Sequence, residues 1–168
     1  MQRRTLLRLS LGAGAVIAVA GTGAALWAPG LSAGKLSAGA RTLVTAVSAA
    51  VLDGLLPTAP EARTLALQGQ LERFELTVAN LPPATRKELS DLLALLSSAA
   101  GRWSLTSLHA PWETASVAEV SAALEMMRMS SMDTRQQIYH ALRDLTTASW
   151  FSDAAHWAQM GYPGPRAL

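Results

Sequence analysis

Apolar residues recur at helical spacing along most of the chain. Leu43, Val44, Val47, Val51 and Leu55 form one stripe, stopped by Pro57. After a Thr58-Ala59-Pro60 loop, Leu67, Leu71, Phe74, Val78 and Leu81 recur at steps of four and three, a one-sided apolar face. Pro82-Pro83 ends that helix and opens the next, with Pro83 suited to a first turn, where the missing N–H costs nothing. Leu89, Leu92, Leu93 and Leu96 give the third stripe. Gly101 to Ala115 has no clear period and reads as a loop with at most a short helical turn. Ser116 with Glu119 is a capping box for a fourth helix with Val117, Val120, Leu124 and Met127 inward. Asp133 is a candidate cap for a fifth, whose inner face is Ile138, Leu142 and Leu145. No segment shows the alternating β-branched pattern of a strand. These stripes predict an all-α fold, a single small bundle of about five helices, antiparallel where the loops are short.

Ahead of the stripes the pattern changes. Gln2-Arg3-Arg4-Thr5-Leu6-Leu7-Arg8 sets an arginine pair before two leucines and a third cation, and a charge-free run follows from Leu9 to Gly34. That is the layout of an export signal, and the pair, Arg3 and Arg4, points to the twin-arginine route, which carries proteins already folded. The apolar part, Leu9 to Ala28, is rich in Gly and Ala and only mildly hydrophobic, yet it has the length of about 20 residues that a membrane span needs. A retained anchor helix is therefore the alternative. Gly23-Ala24-Ala25 and Ala38-Gly39-Ala40 are the two candidate cleavage sites. The organisation expected is a signal or anchor segment over 1–30, a Gly/Ser/Ala linker over 31–40 and a helical domain over 41–168.

Composition narrows the chemistry. Three of the 14 basic residues (Arg3, Arg4, Arg8) lie in the leader, leaving 11 against 12 acidic residues, a net of −1. The domain thus lacks the basic excess that would argue for nucleic acid. There is no cysteine, which excludes disulfides, Cys-ligated zinc, iron–sulfur clusters and c-type haem attached to this chain. Dinucleotide, P-loop and H-E-x-x-H signatures are absent from the sequence. His109, His140 and His156 fall in different segments and read as surface or satisfied imidazoles. Met126, Met127, Met129 and Met132 have the crowding of a copper box, but methionine fills irregular core and interface gaps equally well. Glu72 and Glu75, flanking Arg73, read as a charged helix surface. His140 beside Tyr139 and Asp144 is the one constellation that could line a polar pocket. The sequence therefore names no catalytic, cofactor-binding or metal-binding residue.

The most distinctive text is the C-terminal run Ala148 to Pro165. Trp150, Trp157 and Tyr162, set beside Phe151 and Pro163, are of the residue types enriched at binding hot spots, and a proline-locked tail loses little entropy on docking. They form the candidate partner interface; folding back onto the chain's own core is the competing expectation.

Together, the arginine-pair leader, the first-helix segment Leu52-Asp53-Gly54-Leu55-Leu56-Pro57, Leu81-Pro82 and the closing Gly161-Tyr162-Pro163-Gly164-Pro165 are similar to the gluconate 2-dehydrogenase subunit 3 family. These are small subunits of membrane-associated, flavin-dependent sugar and alcohol dehydrogenases. The resemblance implies a subunit with no cofactor of its own. It would escort an FAD-containing large subunit of the glucose–methanol–choline type and supply the twin-arginine (Tat) signal for both. A multihaem cytochrome c subunit commonly completes such a complex. The resemblance also implies contact with the Tat translocon and residence in the periplasm, or on the periplasmic face of the bacterial inner membrane. The alternative to this accessory role is a stand-alone, membrane-anchored helical protein of interaction type.

Overall fold

The computed structural model describes residues 28–164. The protein is mostly helical there, with five long helices: α1 (Ala38–Val51), α2 (Pro60–Ala79), α3 (Pro83–Ser97), α4 (Val117–Arg128) and α5 (Asp133–Trp150). A short helical turn, Ala99–Gly101, runs into a π-helical segment, Arg102–Thr106, and a 3-10 segment, Ala154–Met160, follows α5. None of the described helices is long and apolar enough to cross a membrane.

Helix α1 is the hub and packs against all four of the others. Its composition explains this: Ala40, Leu43, Val44, Val47 and Ser48 are buried, and small residues let neighbouring helices approach from several sides. Around it Leu71, Phe74 and Val78 of α2, Leu89, Leu93 and Leu96 of α3, Val120, Leu124 and Met127 of α4, and Ile138 and Leu142 of α5 close one continuous core. The apolar stripes therefore place the core where the periodicity puts it. Val51, Leu55, Leu67, Leu81, Leu92, Val117 and Leu145 of those stripes are only partly buried. Both halves of the capping box form, with Ser116 N–H donating to Glu119 Oε2 (2.8 Å) and Glu119 N–H to Ser116 Oγ (3.3 Å).

Several expectations are corrected. Residues 31–40 are not a free linker. Leu31–Ser32 and Lys35–Leu36 pair as an antiparallel hairpin, β1 and β2, and Ser37 caps α1 from Ala38 onward. The two turn residues, Ala33 and Gly34, both have positive φ (49° and 79°), as a two-residue hairpin turn requires, and glycine adopts that conformation without cost. Composition hides the hairpin because its strands are two residues each. Helix α1 stops at Val51 rather than running to Pro57, and a hydrogen-bonded turn over Leu52–Leu56 points Leu52 and Leu56 into a second, smaller cluster. Asp133 does not cap α5: the N-cap position is Met132, and Asp133 is the first helical residue, where its negative charge meets the positive helix end.

The Gly101–Ala115 stretch carries more structure than its lack of period suggests. Leu108 and Trp112 are buried, and Trp112 Nε1–H donates to the Leu96 carbonyl at 2.8 Å. That bond closes the α3 end over the core and satisfies an indole that would otherwise be buried unpaired.

Candidate functional site

Two built features lie outside the main core. The first closes the C-terminal end. Trp150 is 2% exposed and packs with Leu52 and Leu56 under the α1–α2 turn. The His156 ring stacks on it at 3.7 Å with the planes 3° apart. His156 Nδ1 lies 2.7 Å from the Trp150 carbonyl, which only accepts, so Nδ1 carries the hydrogen. Trp150 Nε1–H donates to Gln159 Oε1 (2.9 Å), and Gln159 Nε2 donates across to the Leu55 carbonyl (3.2 Å). Arg73 sits 5.3 Å from the Trp150 ring centroid and reaches Asp153 at 3.5 Å, joining α2 to the cap by a cation–π contact and an ion pair. The tail thus folds back on its own chain.

This divides the sequence-derived interface set. Trp150 is a core residue, and no partner reaches it without opening the cap; aromatic character alone does not distinguish an anchor facing inward from one facing outward. Phe151 and Trp157 are half-buried, and Trp157 Nε1–H is held by the Phe151 carbonyl at 2.9 Å. Tyr162 is 46% exposed with its ring 5.4 Å from Trp157, and Pro163 is exposed beside it. Trp157, Tyr162 and Pro163, with the exposed Met160, therefore form the outer surface of the cap. Arg3 and Arg4 lie outside the described residues.

The second feature was missed by sequence reasoning altogether. Glu75 is buried, against the expectation of a solvated helix face, whereas Glu72 is exposed as expected. Its carboxylate accepts from Lys35 Nζ (2.9 Å), the Leu36 backbone N–H (3.1 Å) and Arg41 Nη2 (2.8 Å). Burial alone would raise its pKa, but the Lys35 hydrogen bond, the Leu36 N–H and the Arg41 charge outweigh it and hold the group below its ordinary value of 4.5. Arg73, its sequence neighbour, is engaged elsewhere. The signal that could have found this cluster is Lys35 in an otherwise charge-free stretch, but its partner is 40 residues away.

A pH dependence follows. Because the folded pKa is lowered, the stabilisation from Glu75 is fully present above about pH 4.5 and drains away as the pH falls through the folded value. Glu75→Gln is expected to cost about 1.5–3 kcal/mol at pH 7, the range for hydrogen bonds to a charged group. The gap between wild type and variant, measured by thermal melts from pH 7 to pH 3, should close on the acid side. A gap independent of pH would show that the charge is not what matters.

A polar stitch joins α2 to α5: Gln70 Nε2 donates to the Thr146 carbonyl (3.0 Å) and to Ser149 Oγ (2.7 Å), all three residues being buried. Between α1, α4 and α5 lies an open depression of about 250 Å³, lined in part by Ser121, Glu125, Tyr139 and Arg143. His140 is exposed and outside it, though its ring meets Tyr139 edge-on at 5.2 Å, and Asp144 faces Arg143 at 3.6 Å, so the three residues expected to line a polar pocket do not line one together. Met127 is core while Met126, Met129 and Met132 are exposed, so the four methionines do not share one site. Among the described residues no three His, Asp or Glu side chains group as a metal site. No family model, curated protein or solved structure matches the chain.

Proposed function

We propose that this chain is a non-catalytic accessory subunit. In this reading it escorts an FAD-dependent sugar or alcohol dehydrogenase of the glucose–methanol–choline type and supplies the Tat signal that takes both to the periplasm. The observation that carries the reading is the arginine pair and its charge-free run, joined to a small helical domain with an aromatic, proline-containing tail. The outer surface of the C-terminal cap supports it as a docking face, because Trp157 and Tyr162 are already held in place before a partner arrives, with Pro163 exposed beside them. FAD, in this reading, belongs to the large subunit, and a multihaem cytochrome c takes the electrons onward.

The test is co-expression with a flavoprotein large subunit of the glucose–methanol–choline type. Deleting this chain should leave the large subunit unexported and inactive; a large subunit that folds, exports and works equally well without it ends the proposal. The surface of the cap gives a finer prediction. Trp157→Ala should weaken co-purification by about 2 kcal/mol or more, the size of a hot-spot truncation, while changing helical signal and melting temperature little. Equal loss of stability and binding would make Trp157 part of the fold and not of the docking face.

A further inference from the structure

The hairpin that replaces the expected linker has a consequence for how the leader is removed. Gly30 is buried against α3: its N–H donates to the Ser90 carbonyl (3.2 Å), and the next N–H, of Leu31, donates to Ser90 Oγ (3.0 Å). The contact is close enough that a Cβ on residue 30 would fall 2.4 Å from the Ser90 carbonyl oxygen and 2.6 Å from Leu93 Cβ. The Gly30 carbonyl accepts from Ser37 N–H (2.9 Å), closing the base of the hairpin, and Leu36 N–H is held by Glu75 while its side chain enters the core. Ala38, Gly39 and Ala40 are the first turn of α1, with Ala40 fully buried.

We infer that Gly30–Ala40 is closed to peptidases once the chain has folded, so that leader removal is confined to residues ahead of Gly30. A peptidase takes its substrate as an extended strand and needs backbone N–H and C=O groups free to pair. The N–H groups of Gly30, Leu31, Leu36, Ser37 and Ala40 are engaged by α3, by Glu75, by the base of the hairpin or by the Ser37 cap. The Ala33–Gly34 tip is a tight positive-φ turn and not an extended strand, and a cut after Ala40 needs Leu36 withdrawn and the first turn of α1 unwound. Of the two small-residue sites in the sequence, Ala38-Gly39-Ala40 is thus eliminated, and Gly23-Ala24-Ala25 lies outside the described residues. Ala28 and Pro29, just ahead of the stitched residues, are exposed. The statement about a leader peptidase rests on the export reading above; the closed segment does not.

The experiment has two arms. In the first, the purified full chain is treated with proteinase K at pH 7 and the cuts are located by mass spectrometry. No cut should fall within 30–40. Glu75→Gln and, separately, Ser90→Ala should admit cleavage within that segment about tenfold faster, the effect of removing one strong hydrogen bond from a local opening equilibrium. Ready cleavage within 30–40 of the wild type, with helical signal retained, overturns the inference. In the second arm the intact mass of the exported chain is measured. A mature N-terminus ahead of residue 30 supports the inference and one at Arg41 overturns it. A chain that stays in the cytoplasm at full mass counts against the export reading, and the protease arm then decides the closed segment by itself.

Discussion

Trp150→Ala is expected to destabilise the protein by about 3–5 kcal/mol, the range for removing a large aromatic from a closed core. For a domain of this size that corresponds to a fall in melting temperature of roughly 10–20 °C. The side chain is buried to 2% and holds four things at once: the Leu52–Leu56 turn, the His156 ring, the Gln159 amide and the Arg73 guanidinium. Truncation opens a cavity at the C-terminal end and loosens the last segment, because the His156 ring loses its stacking partner and Gln159 Oε1 its donor, leaving the Gln159–Leu55 and Arg73–Asp153 contacts to hold it. Trp150→Phe separates the two contributions. It keeps most of the apolar volume and loses the indole N–H, and since Gln159 is exposed and can turn to water, the loss should be nearer 1 kcal/mol. Thermal or urea unfolding followed by circular dichroism measures both. An alanine variant within about 1 kcal/mol of wild type would mean that the cap adds nothing to the core beneath it.

Trp157 lies seven residues further on and is the same residue type, yet the two substitutions are expected to act through different properties, stability for one and assembly for the other. The difference comes from the break in helical geometry after Trp150, where α5 ends and the 3-10 segment reverses the chain.

The contrast marks how far the sequence was legible. Helices α2 and α3 were readable because Leu67, Leu71, Phe74 and Val78, and then Leu89, Leu93 and Leu96, obey a local period that packing rewards whatever the partner. The capping box at Ser116 was readable for the same reason, since both its members sit within one turn. What escaped were interactions between residues remote in the chain. Glu75 meets Lys35, Leu36 and Arg41 from 34 to 40 positions away, and a carboxylate just after Glu72 and Arg73 looks solvated until those partners are known. The hairpin escaped because two-residue strands have no period. The direction of Trp150 escaped because its pocket is built from Leu52 and Leu56, which local pattern assigned to the tail of α1. Residues of the candidate docking face were identifiable by type, but only the fold separates Tyr162 and Pro163, which are exposed, from Trp150, which is not.

On the accessory-subunit proposal, replacing Arg3 and Arg4 together by lysine is expected to abolish export of both this chain and the proposed flavoprotein partner. The substitution is chosen because it conserves charge. A membrane anchor, or a leader attracted to anionic lipid, depends on the number of cations near the apolar run, and two lysines serve it as well as two arginines. A leader read by a receptor is different. Each guanidinium presents a planar fork of five donors that pairs with carboxylates two bonds at a time, whereas an ammonium is a compact point charge, so the exchange removes geometry while leaving electrostatics intact. If each arginine contributes as a hot-spot contact does, losing about 2 kcal/mol at even one of them lowers receptor affinity about thirtyfold, and losing both brings transport to background. The measurement is dehydrogenase activity in periplasmic and cytoplasmic fractions of cells co-expressing the two chains. Activity confined to the cytoplasm in the double variant, with the complex still assembled, is the result expected of a carrier that is sound but carries an unreadable address. Normal periplasmic activity would make the pair an ordinary cationic flank of an anchor helix, and the carrier role would fall with it.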